Sequence, residues 1–143
     1  MLEKIRDTFS ILAEVRGVEL SISCPEEITV CCDESWTTQV LSNIVKNALE
    51  HTPAAGTVSL EVSQNNLYTD IVISDTGEGI SPEDKDRIFT RFYKGKNSSP
   101  ESVGIGLAMA KQIICLENGT INVESAPCEG TKFTVRIYSD IVA

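Results

Sequence analysis

Two hydrophobic spacings alternate along this chain, and each switch between them marks an element. Over residues 3–16, Ile5, Phe9, Leu12, Ala13 and Val15 recur at roughly helical spacing, which predicts an amphipathic first helix. Val18 to Ser23 then alternates apolar and polar residues, Pro25 breaks the run, and Ile28 to Cys31 fits a second short strand. Asp33 is placed to cap a long helix that ends near His51, ahead of Pro53 and Gly56. On it Val40, Leu41, Ile44, Val45, Ala48 and Leu49 form one apolar arc, leaving Gln39, Asn43, Lys46, Asn47 and Glu50 on a polar face.

Val58, Leu60 and Val62 alternate, Asn65-Asn66 offers a turn that tolerates positive φ, and Ile71 to Ser74 makes a buried return strand, so the segment predicts a hairpin. After DTGEGI, residues 75–80, Pro82 to Phe89 predicts a short helix. Lys94 to Ser102 has almost nothing to bury and predicts a mobile stretch. Gly104 to Glu117 has the period of a further amphipathic helix, stopped at Asn118-Gly119, and Ile121 to Glu124 with Lys132 to Ile137 predicts a closing hairpin. The chain holds no internal repeat or domain boundary, so residues 1–143 read as one domain. This order of elements predicts the α+β class: one mixed, mostly antiparallel sheet with helices on one face and the other face left to solvent or to something else.

Composition narrows the reading. With 41% hydrophobic residues, 143 residues suffice for one core. No apolar run approaches the roughly 18 residues of a membrane span, and MLEKIRDTFS is too charged for a secretory leader. The chain is therefore expected to be soluble and cytoplasmic. Its formal net charge of −9 argues against nucleic acid and against direct contact with an anionic membrane. A small anionic ligand remains compatible, because Lys85, Arg87, Arg91, Lys94 and Lys96 crowd one short stretch. Cys24, Cys31, Cys32, Cys115 and Cys128 form no C-x-x-C pair, which predicts reduced thiols and neither a zinc site nor a disulfide framework.

Several groups can carry chemistry. Asn43 and Asn47 are four apart, so they lie one turn above each other on the polar face of their helix and can converge on one ligand. An amide oxygen suits Mg2+ already carried by a nucleotide. Asp75 ends a hydrophobic strand, where its carboxylate can accept the exocyclic amine of adenine, and Gly77 and Gly79 follow where the backbone must bend or approach something flat. D-T-G also occurs in aspartic proteases, which pair two such carboxylates, but two long amphipathic helices fit that scaffold poorly. Gly104-Ile105-Gly106-Leu107 opens a helix whose free N–H groups suit phosphate. No P-loop or dinucleotide-binding fingerprint is present. The aromatics of Arg87 to Lys94 can anchor a flexible segment while its cations reach phosphate, and Gly130-Thr131 sits in a hairpin loop.

In order and spacing, these segments resemble the histidine kinase branch of the superfamily that also contains DNA gyrase, the heat-shock chaperone ATPases and MutL. SNIVKNALEHTP resembles its asparagine box, DTGEGI its first glycine box, RIFTRFYK its phenylalanine box, VGIGLAMAK its second glycine box and EGTKF its third. The resemblance covers nearly the whole chain and implies a two-layer α/β sandwich of the Bergerat type. It implies ATP and Mg2+ as cofactors, with Asn47 on the metal, Asn43 near the phosphates and Asp75 on the adenine amine. It further implies that Gly77 and Gly79 shape the purine pocket, that Ile80 and Thr131 also bind the nucleotide, and that His51 presents a ring to adenine and is not a phosphoacceptor. Arg91 and Lys94 become the cations for the triphosphate, Gly104 and Gly106 let the lid and helix terminus close over it, and Leu107 joins the nucleotide-binding set. Three positions depart from the pattern: Glu50 stands where many relatives have lysine, Ser102 replaces a glycine of the second glycine box, and Cys128 replaces one of the third.

Members that hydrolyse ATP carry a glutamate base four residues before the metal-binding asparagine, and here that place is Asn43. An amide cannot take a proton from water. The resemblance therefore implies transfer of the γ-phosphoryl to a histidine on a separate dimerisation domain, with a response regulator downstream and a membrane-anchored parent from whose dimerisation helices residues 1–16 continue. Two alternatives are a free-standing serine kinase of the anti-sigma-factor type, and a nucleotide-gated binding module that transfers nothing.

Overall fold

The computed structural model describes residues 2–23, 34–79, 88–89, 106–116, 119–125 and 128–138. Its elements are α1 (Leu2–Arg16), β1 (Glu19–Ser23), α2 (Glu34–His51), β2 (Thr57–Gln64), β3 (Tyr68–Asp75), α3 (Gly106–Leu116), β4 (Gly119–Ser125) and β5 (Thr131–Tyr138). The strands form one sheet in the order β1-β2-β3-β5-β4. Helix α2 links β1 to β2, and that crossover makes them the one parallel pair in the sheet, every other neighbouring pair being antiparallel. The expected α+β class with a mixed, mostly antiparallel sheet is the observed one.

Alternation along each strand divides the sheet into a core face and an open face. Register aligns Ile22, Leu60, Ile73, Phe133 and Val123 into one apolar row across all five strands. Val62, Ile71, Val135 and Ile121 form the next row. Three helices cover this face, with α2 touching both α1 and α3. The predicted apolar arc of α2 is entirely inside, with Val40, Leu41, Ile44, Val45, Ala48 and Leu49 all at 0% exposure. At the middle of the apolar row, Ile73→Val should lower unfolding stability by about 1 kcal/mol, measurable by urea denaturation.

On the open face Arg136 donates Nε–H and Nη2–H to the two carboxylate oxygens of Asp70 at 2.8 and 2.9 Å and lies 3.8 Å from the Tyr68 ring centroid. Tyr138 meets Tyr68 edge-on at 6.1 Å. The Asp70 carboxylate raises the pKa of the guanidinium beyond its ordinary range. Asp70 and Arg136 are register partners, so this group pins β3 against β5 at the end remote from Asp75.

Two expectations are corrected. Val15 is not part of the inner stripe of α1 but 78% exposed, as is Ile11 nearby, because the buried stripe follows Ile5, Phe9 and Ala13 and Val15 lies two residues round the helix from Ala13. The β2–β3 turn does not use positive φ at Asn65 or Asn66. Instead the Asn65 side-chain oxygen accepts the N–H groups of Leu67 and Tyr68 at 2.8 and 2.9 Å, while its own N–H donates to the Tyr68 carbonyl. The strand expected at 28–31, the cap at Asp33, most of the helix expected at 82–89 and the stretch 94–102 lie outside the described residues.

Candidate functional site

One register step beyond the apolar row, the core face of the sheet changes character. Leu20 and Val58 remain apolar, but the same row continues through Asp75, Thr131 and Ser125. Asp75 is 9% exposed, a buried carboxylate at the end of the central strand. Its Oδ1 accepts the Gly77 N–H at 2.9 Å. Burial raises its pKa, against the lowering effect of backbone N–H groups from Gly77 and Thr131 and of nearby His51, while Glu78 adds to the rise. The Ser125 hydroxyl donates to the Gly130 carbonyl at 2.9 Å and lies 3.0 Å from the Thr131 hydroxyl, fixing the strand ends beside Asp75.

The loops around Asp75 leave no room for side chains at two glycines. A Cβ on Gly77 would collide with the His51 carbonyl oxygen and lie 2.9 Å from Asp75 Oδ1. Gly130 has φ +82° and a Cβ there would strike the Asp75 carbonyl oxygen. Cys128 holds the left-handed conformation that glycine takes easily, with φ 65°. Its N–H donates to the Glu78 carbonyl at 2.7 Å, tying this loop to the one that follows Asp75.

Helix α2 supplies the adjoining wall. Asn43, Asn47 and His51 recur every four residues along one face, and all three are half-buried. The Gln39 amide donates to Asn43 Oδ1 at 3.2 Å. His51 Nδ1 lies 3.4 Å from Glu78 Oε1, so the last turn of α2 meets the loop after β3 through both its backbone and its side chain. On the other side Phe89 packs edge-on against Phe133 at 6.3 Å, with Lys111 Nζ 5.0 Å from its ring centroid. Phe89 thus packs against the core. Gly106 begins α3 and Leu107 is half-buried against the core.

The structure therefore brings His51, Asp75, Gly77 and Thr131 together, with Gly79 (φ +78°) two residues beyond Gly77, while Asn47 and Asn43 lie one and two turns back along the α2 face that ends in His51. Ile80, Arg91, Lys94 and Gly104 lie outside the described residues. Sequence reading assigned no role to Ser125, Glu78, Thr76 or Arg16. Ser125 was detectable as the next inward position after Ile121 and Val123, whereas the partners of Arg16 lie 33 and 34 residues away and no local signal announces them. A groove of about 510 Å³ also opens at this sheet end, lined by Ser74, Asp75, Glu124, Ser125, Glu129, Gly130, Thr131 and Lys132. Glu124, Glu129 and Asp75 outnumber the single cation Lys132 in its lining, which disfavours an anion there.

Residues 32–141 match the family of histidine kinase-, DNA gyrase B- and HSP90-like ATPases, and the chain belongs to that family. The sensor-like histidine kinase SenX3 of Mycobacterium tuberculosis is 31% identical over 136 residues, which cover 93% of this chain and 33% of that protein. The chain thus spans about a third of that relative's length. Among solved structures, the mycobacterial sensor histidine kinase MprB superposes with a TM-score of 0.81 at 26% identity, covering 96% of this chain and 95% of the other. Full-length ShkA in complex with AMPPNP superposes with a TM-score of 0.84 at 26% identity, covering 99% of this chain and 30% of that one.

Proposed function

We propose that this chain is the ATP-binding catalytic domain of a two-component sensor histidine kinase, and that it presents the γ-phosphoryl of ATP to a histidine on a separate dimerisation domain. The observation that carries the reading is the polar step in an otherwise apolar row: a buried Asp75 backed by Thr131 and Ser125, with the α2 terminus at His51 beside it. Gly77 and Gly130, where a Cβ would collide, keep the backbone close around that carboxylate, and such a cradle suits a flat purine. The names of the relatives and the nucleotide analogue bound to ShkA agree with this reading.

In this reading Asp75 accepts the adenine amine and so reads the base, Gly77, Gly79, Ile80 and Thr131 shape the purine pocket, and His51 lies against the ring. Asn47 and Asn43 direct their amide oxygens to the phosphate end. Among the described residues no group of three or more His, Cys, Asp or Glu side chains stands ready to hold a metal, so Mg2+ is proposed as the nucleotide's own ion, with Asn47 as its protein ligand. When bound, the ion neutralises charge on the phosphate oxygens. Arg91 and Lys94 add cationic contacts, and Gly104, Gly106 and Leu107 close over the nucleotide. Asn43 cannot deprotonate water, so the bound γ-phosphoryl waits for an in-line approach by a neutral imidazole. That imidazole belongs to the parent's dimerisation domain, and an aspartate on a response regulator receives the phosphoryl group afterwards. Membrane anchoring of the parent belongs to the same proposal.

The test mixes this chain with ATP, Mg2+ and the histidine-bearing dimerisation domain of its parent. Acid-labile phosphate on that domain is the expected product, and Asn47→Ala should cut its rate of formation by about 100-fold or more, the usual effect of removing a group that stabilises charge in transfer. Acid-stable phosphoserine on a protein partner would instead establish the anti-sigma type of kinase, which the named relatives do not favour.

A further inference from the structure

We infer that Arg16, the last residue of α1, is a positioning residue for the purine end of the site, an inference that rests on the nucleotide-binding reading above. The last carbonyls of α2 lack partners within their own helix. Arg16 supplies them from another element: its Nε–H donates to the Leu49 carbonyl at 2.8 Å and its Nη2–H to the Glu50 carbonyl at 2.9 Å. A forked cation at a helix C-terminus meets both the geometry and the dipole of that end. The next residue is His51, whose carbonyl oxygen bounds the space at Gly77 and whose ring faces Glu78.

A second path leads from the end of α1 to the same loop. The Gly17 carbonyl accepts the Ala55 N–H at 2.7 Å, and the Gly56 carbonyl accepts the Glu19 N–H at 3.0 Å. One residue on, the Thr57 N–H donates to the Thr76 hydroxyl at 2.9 Å, and the Thr76 N–H returns a bond to the Thr57 carbonyl at 3.1 Å. Thr76 lies directly between Asp75 and Gly77. Arg16 therefore fixes the end of α2 against a loop that is held from its other side through Gly17, and the distance from His51 to Gly77 depends on both. Ala55 holds φ 71° to close this junction, a strained conformation for alanine kept in place by its bond to Gly17.

Arg6 provides the matched control. It too lies on α1 and reaches across to a backbone carbonyl, but that of Ile22 in β1, at 3.3 Å, in place of the carbonyls at the end of α2. Titration calorimetry on the 143-residue chain with ADP and with ATP should show R16A weakening both by the same factor, about fivefold, since the loss falls on the purine end that the two share. R16K, which keeps the charge without the fork, should recover part of that loss. R6A should lower the unfolding midpoint yet leave both dissociation constants as in wild type. In amide spectra, the Gly77 and Glu78 signals should move in R16A and stay in R6A. Equal affinities for R16A and wild type, or equal weakening by R16A and R6A, would overturn the role of Arg16. Failure of the wild-type chain to bind either nucleotide would overturn the nucleotide reading and this inference with it. If R16A does not fold, R16Q takes its place with the same two outcomes.

Discussion

Asp75→Asn should weaken adenine-nucleotide binding by about 100-fold or more while leaving the chain folded. The substitution keeps shape, and the remaining amide oxygen can still accept the Gly77 N–H. It replaces a charged acceptor with a neutral group whose amino half opposes the donor on adenine, a loss of about 3 kcal/mol. Stability should move the other way. Folded Asp75 titrates above its ordinary value near 3.8 because burial penalises its ionised form. For an acid shifted upward, the folded state binds the extra proton between the two values, so stability falls as pH rises from 3.8 through the folded pKa. Above that window the ion is a standing cost that asparagine removes. At pH 7 without ligand, Asp75→Asn should therefore melt at the same temperature as wild type or higher. Calorimetric titration beside a melting curve separates this from unfolding, and a variant that binds normally would remove Asp75 from the site. Acidification should weaken nucleotide binding to wild type as the carboxylate gains its proton, starting above the range of an ordinary aspartate.

Gly130→Val should be the most damaging single change among the glycines of the site. It places a β-branched residue at φ +82° and drives its Cβ into the Asp75 carbonyl oxygen. The backbone strain and the forced displacement of a central strand end together should cost about 3 kcal/mol or more. Any protein that still folds should bind nucleotide weakly, because the displaced group is Asp75 itself. Urea denaturation with an unchanged slope and a lowered midpoint is the expected signature. A midpoint equal to wild type would show that the loop relaxes at little cost.

Much of this was legible in the sequence because periodicity reports burial. The apolar arc of α2 and the alternation in β2 and β5 gave their elements to within a residue or two, whereas β3, expected from Ile71, begins three residues earlier at Tyr68. Asp75 could be placed at a strand end and His51 at a helix end from composition alone, since Gly and Pro punctuate both. What escaped were features set by neighbours distant in the chain. Alternation shows that Thr131 and Ser125 point inward, but only strand order sets them in one row with Asp75. Val15 fitted a loose helical spacing, and only the packing of α1 showed which side of the helix was inside. Asparagine's tolerance of positive φ suggested one turn geometry for Asn65, and its side chain made another by accepting two backbone N–H groups. Positive φ appeared instead at Ala55 and Cys128, residues whose types give no hint of it.

The central place of β3 in the sheet has a consequence for how such a domain diversifies. A strand paired on both sides from Thr69 to Asp75 is the last part of a sheet to fray, so the carboxylate at its tip inherits the rigidity of the whole core. A substitution at the pocket rim can then be absorbed without loosening its floor. Cys128 is a case in hand: an unfavourable residue for its backbone conformation, accommodated at the margin while Asp75 and the strand beneath it keep their place.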